Sequence, residues 1–96
     1  VVAANIAAMR SPRRFAGVCI NIAHGSRTNL LTVKRLTEKH TGSMLNLERR
    51  PPRTGDVRHT HADISRAKRL LGYKPTMDFE EGLLRTIEWY RDSARR

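Results

Sequence analysis

Val2, Ile6 and Met9 recur at helical spacing with alanines between them, which predicts a helix over Val1–Met9. Ser11-Pro12 and three arginines then predict a surface loop running to Ala16. Gly17–Ala23 reads GVCINIA. It is β-branched or apolar at nearly every position and bounded by glycines, so it predicts a strand buried on both faces. After the turn His24–Thr28, Asn29 is placed to cap a helix over Leu30–His40, with Leu30, Val33, Leu36 and Thr37 as its buried stripe and Thr41-Gly42 as its stop. Met44–Glu48 predicts a second short strand. Arg49–Gly55 (RRPPRTG) is irregular, because Pro51 and Pro52 each lack a backbone donor, and Asp56–Ala62 is extended or irregular. Asp63 is expected to cap a helix over Ile64–Leu71 that turns Ile64, Ala67 and Leu71 inward and stops at Gly72. Asp78 and Glu81 have capping-box spacing, and the last helix runs from Phe79 to about Asp92. Its core stripe is Phe79, Leu83, Ile87 and Tyr90, flanked by Leu84 and Trp89.

This order predicts an α/β unit, α+β in isolation, mostly helical with two short strands. Two strands alone are marginal in water. Their neighbours are therefore expected on another segment or another chain.

At 96 residues the chain is one small domain. No apolar run approaches the ~20 residues that cross a bilayer, so no membrane role is expected. Cys19 stands alone, which excludes an internal disulfide. It is expected as a small buried core residue in a reducing, cytoplasmic setting. Charge changes the picture more. Nineteen Lys and Arg against nine Asp and Glu give +10, which on its own points to a small basic nucleic-acid-binding module. The basic residues instead fall into four separated groups without interleaved aromatics to stack bases. A solvated basic surface, or a site for a smaller anion such as a diphosphate, fits that distribution better.

No glycine-rich dinucleotide loop, P-loop or Cys-x-x-Cys is present. His59 and His61 have no further ligand at metal spacing, and Ser26 with His24 lacks a nucleophile elbow. Pro52-Arg53-Thr54-Gly55-Asp56-Val57 is more informative. A guanidinium on a proline-stiffened loop suits phosphate oxygens, and a carboxylate three residues on suits the two hydroxyls of a ribose. The alternative is a turn carrying a surface charge pair. Arg27, between the predicted strand and a helix N-terminus, is a second candidate for a phosphate. Its alternative is an ordinary strand-to-helix turn.

As a set these residues resemble the carboxy-terminal part of extended short-chain dehydrogenase/reductases, the NAD-dependent epimerase/dehydratase family. GVCINIAHGSRTNLLTV resembles the family's Tyr-Asn-(Ile/Val)-Gly-like strand leading to a capped helix. RTGDVRHTHADISRAKRLLGYKPTMDFEEGLLRTIEWY resembles its closing signature: Arg-x-Gly-Asp, Ala-Asp-x-x-(Lys/Arg)-Ala, Leu-Gly-Tyr-x-Pro, Glu-Gly-Leu and Trp-Tyr. Gly25-Ser26-Arg27-Thr28 followed by Gly55-Asp56-Val57-Arg58-His59 is most similar to UDP-glucose and UDP-N-acetylglucosamine 4-epimerases.

The resemblance implies that residues 1–96 are the nucleotide-sugar-binding subdomain of an extended Rossmann-type enzyme. It implies Arg53 on the UDP diphosphate, Asp56 on the uridine ribose, and Arg27 as a further phosphate contact. The family's NAD loop and Tyr-x-x-x-Lys pair lie outside this sequence, so the chain holds no catalytic residue, no cofactor site and no metal. NAD belongs to the parent enzyme. Nucleotide-sugar 4,6-dehydratase and UDP-glucuronate decarboxylase are the alternatives within the family. The implied partners are a UDP-sugar, the protein's own N-terminal Rossmann domain and, in the full enzyme, a second subunit. Two departures stand out: Ala23 replaces a usual glycine, and Thr32 replaces the usual capping-box acid after Asn29.

Overall fold

A computed structural model describes residues 1–96. Four helices form: α1 (Val2–Arg10), α2 (Leu30–Thr41), α3 (Ser65–Leu71) and α4 (Phe79–Ala94). They divide between unit 1 (Val1–Ser26 and His61–Thr76) and unit 2 (Arg27–Thr60 and Met77–Arg96).

In unit 1, α1 packs on α3. The contact is made by small residues: Ala4 is 3% exposed and Ala67 is fully covered. The expected stripe Val2, Ile6 and Met9 lies on the opposite side of α1, and Met9 is 84% exposed. Alanines let two helix backbones approach closely, and that approach selects the alanine face. Pro12 ends α1 by holding Ser11 extended (φ −69°, ψ 134°). Asp63 does not cap α3 from the N-cap position as expected. That position is Ile64, and Asp63 Oδ1 instead accepts bonds from the Ser65 amide (2.9 Å) and the Ser65 hydroxyl (2.5 Å) just outside it.

Neither predicted strand forms, and the fold is all-helical. A ladder needs a second extended segment in register, and unit 1 supplies none to Gly17–Ala23. Side chains hold this segment instead. Arg66 Nη1 donates to the Cys19 carbonyl (2.8 Å), Tyr73 Oη to the Ala23 carbonyl (3.0 Å) and Asn21 Nδ2 to the Asp63 carbonyl (3.4 Å). Val18, Ile20 and Ile22 line a cleft of about 210 Å³ with Ala4, Ala8 and Leu71. Alternation along the extended chain then sends Cys19 outward, and it is exposed rather than in the core.

In unit 2, α2 packs on α4. Asn29 Oδ1 caps α2 by accepting from the Thr32 amide (2.8 Å), and Gly42 closes it with φ +71°. Asp78 Oδ1 caps α4 by accepting from the Glu81 amide (2.8 Å). The reciprocal half of the capping box is replaced by a bond from Arg85 Nη2 to Glu81 Oε1 (2.5 Å). Leu36 is 5% exposed and is the buried residue of this unit, whereas α4 buries none. Leu30, Trp89 and Tyr90, expected in or beside the core, are exposed. The second predicted strand, Met44–Glu48, is irregular chain whose Leu45 amide donates to Glu38 Oε1 (2.8 Å).

With so little apolar burial, polar contacts carry much of the α2–α4 pairing. Glu80 Oε1 accepts from Lys39 Nζ (2.7 Å) and from His40 Nε2 (2.9 Å). Arg91 Nη2 donates to the carbonyls of His40 and Thr41 (3.2 Å each), the open C-terminal end of α2. Hydrogen bonds from Lys39 and His40 hold the Glu80 carboxyl below the ordinary glutamate range. Bonds from Lys34 and the Leu45 amide do the same for Glu38. Both folded pKa values are depressed. The stabilisation is therefore complete above the ordinary glutamate value of about 4.3 and is lost as pH falls below it. Helicity measured by circular dichroism should drop on acidification below about pH 4, and Glu80→Gln should flatten part of that response. An acid profile identical in wild type and Glu80→Gln would show that this carboxylate does not link the helices.

The accessible surface is 8675 Å². Two separate compact bodies of the units' sizes would together expose roughly 6,800 Å². The chain thus leaves apolar area open that its own elements do not cover, including Met44, Trp89 and Tyr90.

Candidate functional site

Arg53 and Asp56 are joined by a tight turn in unit 2. The Asp56 amide donates to the Arg53 carbonyl (3.1 Å), and the Arg53 amide donates to Asp56 Oδ2 (3.1 Å). Gly55 has φ +90°, the left-handed value that the third residue of a type II turn requires. The preceding Pro51-Pro52 limits how this loop can rearrange. The turn thus presents a guanidinium without a carboxylate partner and a carboxylate with one oxygen uncommitted, both exposed. A guanidinium fork donates to phosphate oxygens, and a free carboxylate oxygen accepts from hydroxyls. The flanking arginines differ. Arg50 is spent on Glu48, its Nε and Nη2 lying 2.9 and 3.0 Å from the two carboxylate oxygens.

Arg27 is exposed, two residues before the cap of α2, and no hydrogen bond ties it to the Arg53–Asp56 turn. The turn therefore unites two of the three candidate residues, and the third stands apart from that bonded pair.

Unit 1 holds a polar cleft that sequence reasoning did not single out. About 430 Å³ in volume, it is lined by His24, Gly25, His61, Asp63, Ser65 and Lys68. His61 Nε2 donates to the Gly25 carbonyl (2.8 Å), which fixes the proton on that nitrogen. His24 Nδ1 is bonded to Ser26 Oγ (2.7 Å). Ser65, through both its hydroxyl and its amide, holds the Asp63 carboxyl below the ordinary aspartate range. The two histidines are 37 positions apart in sequence, so no spacing motif announces the cleft. No group of three His, Cys, Asp or Glu side chains has the arrangement to hold a metal ion. No helix is long and apolar enough to cross a membrane.

No family model matches the chain. No solved structure matches it. Among curated proteins, a probable UDP-glucuronate 4-epimerase of Rhizobium meliloti is 34% identical over 77 residues, covering 80% of this chain and 23% of that protein. UDP-glucuronate 4-epimerase 3 of Arabidopsis thaliana is 59% identical over 39 residues, 41% of this chain and 9% of that protein. An uncharacterized protein of Methanocaldococcus jannaschii is 34% identical over 73 residues, 76% of this chain and 22% of that protein. The chain therefore spans less than a quarter of the length of each of these relatives. The named sugar is glucuronate, not the glucose or N-acetylglucosamine of the enzymes that the motifs resemble. Through part of its length, the chain is related to nucleotide-sugar 4-epimerases acting on UDP-glucuronate.

Proposed function

We propose that this chain is the UDP-binding portion of an NAD-dependent UDP-hexuronate 4-epimerase, with Arg53 on the diphosphate and Asp56 on the ribose. The Arg53–Asp56 turn carries the reading: one bonded loop presents a phosphate donor and a hydroxyl acceptor side by side. The relationship to UDP-glucuronate 4-epimerases supplies the substrate class. UDP-glucose and UDP-N-acetylglucosamine share the same UDP handle, which this turn would grip equally. Arg27 is assigned a secondary phosphate contact.

NAD is assigned no site among these residues, whose sequence holds no glycine-rich dinucleotide loop. Its binding and the hydride chemistry belong to a Rossmann domain outside these 96 residues. Such a domain would also cover the exposed apolar side chains and pair the open backbone of Gly17–Ala23. Assembly of the whole enzyme as a homodimer is part of the same proposal.

The test is a calorimetric titration of the chain with UDP-glucuronate and, separately, with UMP. A charge-assisted bond to phosphate is worth about 1.5–3 kcal/mol. Arg53→Ala should therefore weaken UDP-glucuronate roughly tenfold to a hundredfold. It should change UMP much less, since UMP lacks the second phosphate. Equal UDP-glucuronate affinity in wild type and Arg53→Ala, or no binding by wild type, removes the assignment.

A further inference from the structure

All five ion pairs of the chain lie in unit 2. In unit 1, Arg10, Arg13 and Arg14 of the first segment and Arg66, Lys68, Arg69 and Lys74 of the second stand against one acid, Asp63. That acid and one of those cations, Lys68, line the polar cleft of unit 1 together with His24 and His61. Lys68 is exposed and makes no ion pair.

Each histidine of the cleft has one ring nitrogen committed. The Gly25 carbonyl can only accept, so His61 Nε2 carries a proton and donates it (2.8 Å). His24 Nδ1 is bonded to Ser26 Oγ (2.7 Å). These bonds orient both rings and leave His61 Nδ1 and His24 Nε2 without a protein partner. Ser65 spends its amide and its hydroxyl on Asp63 Oδ1, so neither is free for a ligand. The groups left to bind are two ring nitrogens and an ammonium.

That set recognises an anion once it is protonated. His61 Nδ1 becomes a donor only in the imidazolium form, and imidazoles change charge between about pH 5 and 8. With both rings protonated, two imidazoliums and Lys68 against Asp63 leave a charge of +2 on the lining, which matches a dianion. No neighbouring group opposes it. Arg66 is turned to the Cys19 carbonyl (2.8 Å), and Tyr73 donates its hydroxyl to the Ala23 carbonyl (3.0 Å). Helix α1, packed on α3, carries Arg10 as its one charged side chain. A metal ion fits less well, because Lys68 repels it and no third ligand is arranged to complete a site.

We propose that the His24–His61–Lys68 cleft binds a dianionic oxyanion of the phosphate class, free or as the end of a phosphomonoester, with proton uptake by the imidazoles. Charged N–H donors make short, strong bonds to phosphate oxygens. Linkage is reciprocal: an anion that prefers the protonated rings raises their affinity for protons by the same factor. The cleft shares no residue with the Arg53–Asp56 turn, and its ligand is independent of the UDP assignment.

Inorganic sulfate is the probe, because it stays dianionic throughout the imidazole range and adds no titration of its own. Titrated into the 96-residue chain, it should bind at least about tenfold more tightly near pH 5.5 than near pH 8. Saturating sulfate should raise the titration midpoints of the His24 and His61 ring-proton resonances. Those of His40 and His59, both in unit 2, should stay in place. This readout needs no substitution, so misfolding cannot produce it. Lys68→Gln should weaken sulfate about fivefold, the scale of one exposed charge contact. Arg14→Gln, which removes the same charge elsewhere in unit 1, should leave affinity unchanged, as should Arg53→Ala in unit 2. Glycerol phosphate binding as tightly as inorganic phosphate assigns the site to a phosphomonoester, and binding of the inorganic ion alone assigns it to free phosphate. Absence of sulfate binding at both pH values overturns the proposal, as does an affinity independent of pH. Equal shifts of all four histidines, or equal weakening by Lys68→Gln and Arg14→Gln, also overturn it, since either marks a diffuse basic surface rather than a site.

Discussion

Ile64→Ala is expected to cost about 2–5 kcal/mol, the usual range for removing a buried isoleucine down to its β-carbon. Ile64 is 6% exposed and is the one large side chain among the buried residues of unit 1, beside Ala4 and Ala67. Alanine faces bring α1 and α3 together but contribute little transfer free energy. The larger share of apolar stabilisation per residue falls on Ile64, at roughly 25 cal/mol per Å² removed from water. A body of this size has a few kcal/mol of stability at most. The substitution should therefore leave unit 1 largely unfolded. Urea denaturation combined with amide exchange in α3 reads this directly, and Ile64→Val should cost only about 0.5–1.5 kcal/mol. Exchange protection in α3 unchanged by Ile64→Ala would mean that the core lies elsewhere.

How far the sequence could lead to this picture depends on which residues did the predicting. The four helices were legible because their signals are local. Asn29 and Asp78 cap through their own side chains, and Gly42 and Gly72 close with left-handed φ of +71° and +61°. Gly17–Ala23 was legible as extended but not as unpaired, since β-branched composition is a preference that only a neighbouring strand can satisfy. Leu30 and Tyr90, expected in the core, and Trp89, expected beside it, are exposed for a related reason. Helical periodicity identifies a face, and whether anything covers that face is a property of other segments. On α1 two faces competed, and the alanine side prevailed by close approach. The Arg53–Asp56 pairing could be anticipated from proline, glycine and a spacing of three. The His24–His61 cleft could not, because Gly25 and Ile64 assemble it across a long sequence separation.

That Gly25–Ile64 contact makes Gly25→Ala the most informative single change in the chain. Gly25 has φ +88°, where any L side chain is strained by about 1–2 kcal/mol. A β-carbon there would also stand 2.9 Å from Ile64 Cδ1 and 3.4 Å from Cγ1. A terminal methyl on a mobile side chain would swing aside. Ile64 is buried, and the close Cγ1 limits that escape, so overpacking adds about 1–3 kcal/mol. Gly25→Ala should thus destabilise unit 1 by roughly 2–5 kcal/mol. Gly55 separates the two contributions. Its φ is +90°, nearly the same, yet a β-carbon there meets nothing within 4 Å. Gly55→Ala should show the backbone cost alone. Ile64→Val deletes the offending Cδ1, so Gly25→Ala combined with Ile64→Val should cost less than the sum of the two single changes. A coupling of about 0.5–3 kcal/mol is the range for residues in direct contact. Strict additivity in this cycle, or equal destabilisation by Gly25→Ala and Gly55→Ala, would show that Ile64 yields freely. The His24–His61 cleft would then not depend on the absence of a side chain at position 25.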